Sequence, residues 1–146
     1  MKTTSRRGDP DILLLDTNAL LWMSGDSDEL GPKARAAIDE AVAQEKAAFS
    51  AVSVWEAALL VRRGRYDLGL PVARWRADLI AAGLAEAPLN GIAAALAGEW
   101  TDLHDDPADR FIAATAQQMG ATLMTSDKRL LAWAGKTATA SMDARK

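Results

Sequence analysis

Four acidic residues could do chemistry together: Asp16, Glu56, Asp109 and Asp127. Each stands where an apolar run gives way to a helical pattern, or in the first turn of a helical pattern. Such positions let side chains far apart in sequence meet at one edge of a sheet, because ligands of open α/β sheets bind at the carboxyl ends of strands. Converging carboxylates repel one another and resist ionisation. Hard divalent cations such as Mg2+ or Mn2+ relieve that repulsion with oxygen ligands. Two such ions about 3.5–4 Å apart can clamp both the attacking and leaving oxygens of a phosphodiester, and one alone can activate water. With no cysteine and a single histidine, His104, the chain has no thiolate chemistry, and oxygen ligation is the expected mode.

The elements that must position these acids follow from the apolar pattern. Ile12 to Leu15 is a continuous apolar run, the pattern of a strand buried on both faces of a parallel sheet, and Asp16 ends it. Pro32 opens a helix through Lys46, and Ala47 to Ala51 forms a second strand. Helices are expected over Val54–Arg63, Val72–Ala82, Gly91–Trp100, Pro107–Met119 and Lys128–Ala134, with Gly120 closing the fourth of these. Further strands are expected over Leu84–Leu89 and Ala121–Thr125, with a weak one between Thr137 and Met142. Strands alternating with helices imply a mostly parallel sheet covered on both faces. Repeats, heptads and low-complexity tracts are absent.

The 146 residues suit one domain, with residues 1–11 as an N-terminal extension and 12–146 as the folded unit. The apolar stretch after Lys2, Arg6 and Arg7 is too short for a signal peptide, and no run approaches a membrane span, so a cytoplasmic protein is expected. Net charge is −3, which by itself disfavours a nucleic-acid partner. Leaving out the four candidate ligands turns −3 into +1, so the balance decides nothing.

Each acid also has a structural reading. Ser53-Val54-Trp55-Glu56 matches a capping box. Asp106 and Asp109 suit the cap and first turn of the helix at Pro107, and Asp127 suits the start of the last helix. Asp16, at the end of an all-apolar strand and followed by Thr17-Asn18, is the hardest to explain by capping. His104 reads as a loop residue, and Asp26 to Glu29 as a solvated acidic turn. The five tryptophans (Trp22, Trp55, Trp75, Trp100 and Trp133) fall at helical positions and read as core or interface rather than as base-stacking platforms. Arg62, Arg63 and Arg65 suit either a helix dipole or a phosphate.

Taken in order, these segments resemble the four motifs of PIN-domain nucleases, particularly VapC-type toxins of toxin–antitoxin pairs. Leu13 to Trp22 is similar to the first motif and Ser53 to Ala58 to the second. Asp106 to Ala116 resembles the third motif and Thr125-Ser126-Asp127 the fourth, while Gly64 to Pro71 is also typical of the group. The extension before the first strand is longer than usual, and the last strand is poorly marked.

The resemblance implies a single-domain α/β/α sandwich binding one or two Mg2+ or Mn2+ ions and cleaving RNA. Asp16, Glu56, Asp109 and Asp127 would be the metal-binding acids, supported by Thr17, Asn18 and Thr125. It also implies a homodimer restrained by an antitoxin. Attack by activated water predicts products with a 5′-phosphate and a 3′-hydroxyl. Arg110 and Lys128, beside site acids, are candidate phosphate contacts. The rivals are a metal-dependent DNA nuclease of related fold and a non-catalytic binding module with structural acids. A haloacid-dehalogenase-like phosphatase would place an acid two residues after Asp16, where Asn18 stands.

Overall fold

In a computed structural model, residues 12–146 are described; the expected extension over residues 1–11 lies outside them. The first strand, β1 (Leu13–Leu15), is buried at all three positions. Helices α1 (Thr17–Ser24) and α2 (Pro32–Ala43) lead to β2 (Ala47–Ser50), then α3 (Ala51–Arg62) and α4 (Val72–Ala81). Next come β3 (Ala85–Ala87), α5 (Gly91–Glu99) and α6 (Pro107–Met119). The chain ends with β4 (Thr122–Thr125), α7 (Lys128–Ala134) and β5 (Ser141–Asp143).

The five strands form one sheet in the order β3-β2-β1-β4-β5, parallel at every pairing. Alternation along the strands divides the core into two layers. Leu13, Leu15, Phe49 and Met124 pack with Leu20, Ile38, Trp75 and Leu79 on one face. Leu14, Ala48 and Leu123 pack with Val52, Ile112 and Ala116 on the other. This is the expected α/β/α sandwich, and strands so covered have no reason to alternate polar residues.

The strand order reverses at β1. From the edge strand β3 the chain recrosses the sheet through α5 and α6 to lay β4 on the other side of β1. The carboxyl ends of β1 and β4 therefore lie side by side at a topological switch point, where a crevice is expected. Leu15 pairs with Met124 there, and the Asp16 amide donates to the Met124 carbonyl at 2.8 Å.

Three local expectations change. Thr17–Ser24 is a helix that no amphipathic stripe announces, because Thr17, Ala19, Leu20 and Leu21 are all buried. The helix after β2 starts at Ala51, capped by Ser50, whose hydroxyl accepts from the Val52 amide at 3.0 Å. Ser53 and Glu56 thus lie inside α3, and the capping box read at Ser53 does not form. The last strand, Ser141–Asp143, overlaps the end of the expected segment and runs one residue past it. By contrast, Gly120 closes α6 in the left-handed region at φ 67°, as expected.

Candidate functional site

Asp16 ends β1 and caps α1, and it is buried to 5% exposure. Both carboxylate oxygens are held. Oδ1 accepts from the Thr17 amide at 2.7 Å, and Oδ2 accepts from the Thr125 hydroxyl, also at 2.7 Å. Thr125 ends β4, so this bond ties the two strand ends of the switch point together. The same hydroxyl accepts from the Asp127 amide at 3.0 Å and so fixes the entry to α7.

Glu56 projects from the second turn of α3 toward α1. The Thr17 hydroxyl donates to Glu56 Oε1 and is also 2.9 Å from the buried Ser53 hydroxyl. A hydroxyl has one proton to give. With that proton on the carboxylate, Ser53 is the donor to Thr17. Thr17 thereby links Asp16, through its amide, to Glu56, through its side chain.

Asp109 lies in the first turn of α6, where Asp106 caps the helix by accepting from the Asp109 amide at 3.1 Å. The Asp109 carboxylate itself faces His104, with Nε2 to Oδ2 at 2.7 Å. An ionised carboxylate only accepts, so that nitrogen carries the proton. His104 Nδ1 is buried without a partner among the described residues. Asp127 caps α7, accepting from the Arg129 and Leu130 amides and, at 3.2 Å, from the Arg129 guanidinium. One donor atom each from His104, Asp109 and Asp127 lies within 4.8 Å of the others.

The electrostatics bind these pieces into one cluster. Burial pushes the Asp16 carboxyl up to about 7, against the Thr125 hydrogen bond, with further upward pressure from the charges of Asp109 and Glu56. Burial also raises Glu56 above its ordinary value, opposed by the Thr17 hydroxyl and reinforced by Asp109 and Asp106. Asp109 is raised by burial, opposed by its bond to His104, and pushed further by Asp106 and Asp127. Asp127 goes the other way: burial would raise it, but the hydrogen bonds from Arg129 and Leu130 outweigh that and leave it low. Three carboxyls that resist ionisation beside one that does not form a site short of positive charge. Oxygen donors with one imidazole nitrogen nearby suit a hard divalent cation.

All four sequence-predicted acids come to this edge of the sheet. Thr17 and Thr125 hold carboxylates directly. Asn18 is exposed and its side chain makes no hydrogen bond among the described residues. Lys128 is exposed at the first position of α7 and makes no ion pair among the described residues.

Arg110 is a correction. Its guanidinium donates to the carbonyls of Ala97 (2.8 Å), Leu103 (2.7 Å), His104 (3.1 Å) and Trp100, clamping the loop between α5 and α6 instead of facing a phosphate. His104 is the contributor that sequence reasoning set aside. The signal for it was its place five residues before Asp109, a separation that one loop and one helical turn can close. Ser53, read as a cap, is buried and belongs to the Thr17–Glu56 network.

The fold and this acid-lined switch point define an α/β/α domain with four carboxylates at one edge of a parallel sheet. The sequence profile of the PIN domain matches residues 13–136, and the chain belongs to the PIN-domain family. It is 33% identical over 118 residues to ribonuclease VapC22 of Mycobacterium tuberculosis, an alignment covering 81% of this chain and 88% of the relative. Among solved structures, it is similar to DNA-bound VapBC from Salmonella typhimurium (TM-score 0.62, 17% identity, 90% of this chain and 97% of the other). It also resembles VapBC2 from Rickettsia felis bound to a promoter DNA fragment (TM-score 0.61, 16% identity, 90% and 98%).

Proposed function

We propose that this chain is a metal-dependent endoribonuclease, the toxin of a toxin–antitoxin pair, hydrolysing RNA in the cytoplasm with Mg2+ or Mn2+ held by Asp16, Glu56, Asp109 and Asp127. The observation carrying this reading is the buried Asp16, kept beside Asp109 and Glu56 at the carboxyl end of the central strand and anchored by Thr125. An anion so placed costs stability unless a cation joins it. When bound, such a cation supplies an activated water and neutralises charge on the phosphodiester.

The chain's own residues prepare that chemistry. Thr17 and Thr125 fix the two innermost carboxylates, so no side-chain reorganisation is needed when charge arrives. His104 holds one oxygen of the Asp109 carboxylate, Oδ2, and so orients that carboxylate. Because water attacks, the ribose 2′-hydroxyl is not the nucleophile.

The ribonuclease and antitoxin assignments draw on the relatives, one named as a ribonuclease and others solved as toxin–antitoxin complexes with DNA. A homodimer whose acidic pocket is covered by a cognate antitoxin completes the reading. The test is incubation of the partner-free protein with structured RNA and Mg2+ or Mn2+, beside EDTA, DNA and Asp16→Asn controls. RNA cuts bearing a 5′-phosphate, lost with EDTA and in the variant, are expected. A 2′,3′-cyclic phosphate product would refute the mechanism. Cleavage of DNA in preference to RNA would favour the rival nuclease. Unaltered metal affinity in Asp16→Asn would make the acids structural.

A further inference from the structure

Beside the acid cluster, α3 and the start of α6 enclose a groove of about 370 Å³. Glu56 lies in its lining, with Trp55, Arg63, Arg65 and Pro107. The groove therefore begins at a site carboxylate and runs toward a pair of cations. Resting on the RNA reading above, we propose that this groove seats the single-stranded RNA flanking the scissile bond, with Arg63 and Arg65 on a backbone phosphate and Trp55 stacked on a base.

The arginines are unusual in this chain. Every other described arginine has an acid within 4.0 Å: Arg35, Arg74, Arg76, Arg110, Arg129 and Arg145. Arg62, Arg63 and Arg65 are exposed and have no such partner among the described residues. In a chain of net charge −3, three uncompensated guanidiniums at one place require an explanation. The α3 dipole accounts for Arg62 in the last turn and Arg63 at the C-cap. It does not account for Arg65, which lies beyond Gly64, whose φ of 70° turns the chain out of the helix.

Trp55 is the second observation. It stands next to Glu56, yet it is 56% exposed, against 4% for Trp75 and Trp133. Its other side borders an apolar recess of about 250 Å³ formed with Val52, Leu89, Pro107 and Phe111. A large ring kept in solvent between an apolar recess and two arginines matches what single strands require, a π-face for the base and a cation for the phosphate. Glu56 and Asp106 on the same groove repel an acidic peptide and an RNA phosphate alike, so the exposed Trp55, which offers a π-face to a base, is what favours a single strand.

The experiment measures binding of a fluorescein-labelled, mixed-sequence single-stranded RNA in EDTA across a KCl series, by fluorescence anisotropy, alongside cleavage kinetics. Arg63→Ala/Arg65→Ala is expected to weaken binding and to flatten the slope of log affinity against log salt by about 0.7 for each phosphate no longer neutralised. KM rises and kcat holds, since the acids are untouched. Trp55→Ala is expected to weaken binding about tenfold with the salt slope unchanged, and Trp55→Phe to restore most of it.

These side chains are exposed, so thermal unfolding matching wild type would confirm intact folding of the variants. Wild-type RNA cleavage together with unchanged affinity and slope in the double variant would overturn the groove and leave the nuclease standing. No RNA binding or cleavage by wild type would overturn both. Normal RNA binding by the double variant with lost capture of the cognate antitoxin would assign the groove to a protein partner and overturn the proposal.

Discussion

Replacing Asp16 with Asn should make the metal-free protein more stable at alkaline pH, although it removes a residue central to the site. Burial holds the Asp16 carboxyl at about 7 in the folded chain, against 3.8 when exposed. Between those values the native state keeps a proton that the unfolded state releases. Stability therefore falls as pH rises through this window, and the loss is complete above pH 7. At about 1.4 kcal/mol for each pKa unit, the penalty reaches about 4 kcal/mol.

Asn mimics the neutral acid and carries no such penalty. Its amide group cannot accept from both the Thr17 amide and the Thr125 hydroxyl, which returns about 1–3 kcal/mol. The net expectation in EDTA at pH 8 is a gain of about 1–3 kcal/mol, shrinking to a loss near pH 4. Urea unfolding of both proteins at several pH values reads this directly. Mg2+ or Mn2+ should raise the wild-type midpoint at pH 8 and leave the variant nearly unmoved, because ligand binding stabilises by mass action. Asp16→Asn less stable than wild type at pH 8, with the same pH slope, would refute the argument that a buried charge awaits a cation.

Three further outcomes are expected. Thr125→Val removes the hydrogen bond that opposes burial at Asp16, so the acidic limb of the cleavage-rate profile should move to higher pH, measured as initial rate against pH at saturating Mg2+. His104→Ala takes away the group that lowers Asp109, and the same profile should again move upward with weaker metal affinity by calorimetry; His104→Asn should recover part of both. Arg110→Ala should lower stability by about 3 kcal/mol in urea, since three loop carbonyls and that of Ala97 in α5 lose a charged donor, and Arg110→Lys should not rescue it, lacking the fork that reaches them together.

The sequence by itself determined the layers and the sheet. Leu13-Leu14-Leu15 has the pattern of a strand covered on both sides, and the alternation of such runs with helical segments implies parallel pairing. The four acids were legible for the same reason, because strand ends and helix starts are marked by abrupt changes in apolar pattern. Short-range chemistry was less legible. The sequence offered Ser53 as the cap and put Ser50 inside the second strand, and only the point where β2 stops decides that Ser50 caps α3 while Ser53 turns inward to Thr17. Helix α1 was hidden because most of it is buried, leaving only Asn18 and Ser24 exposed, too few to mark a polar stripe.

Tertiary structure alone decided the roles of His104 and Arg110. They lie close together in sequence, yet one faces the acid cluster and the other clamps a loop. Side-chain direction there depends on how α5 packs on α6, a long-range contact that no local pattern encodes. The pairing of Thr125 with Asp16 across 109 residues has the same origin. It follows from strand order, and strand order is set by which faces the crossing helices cover.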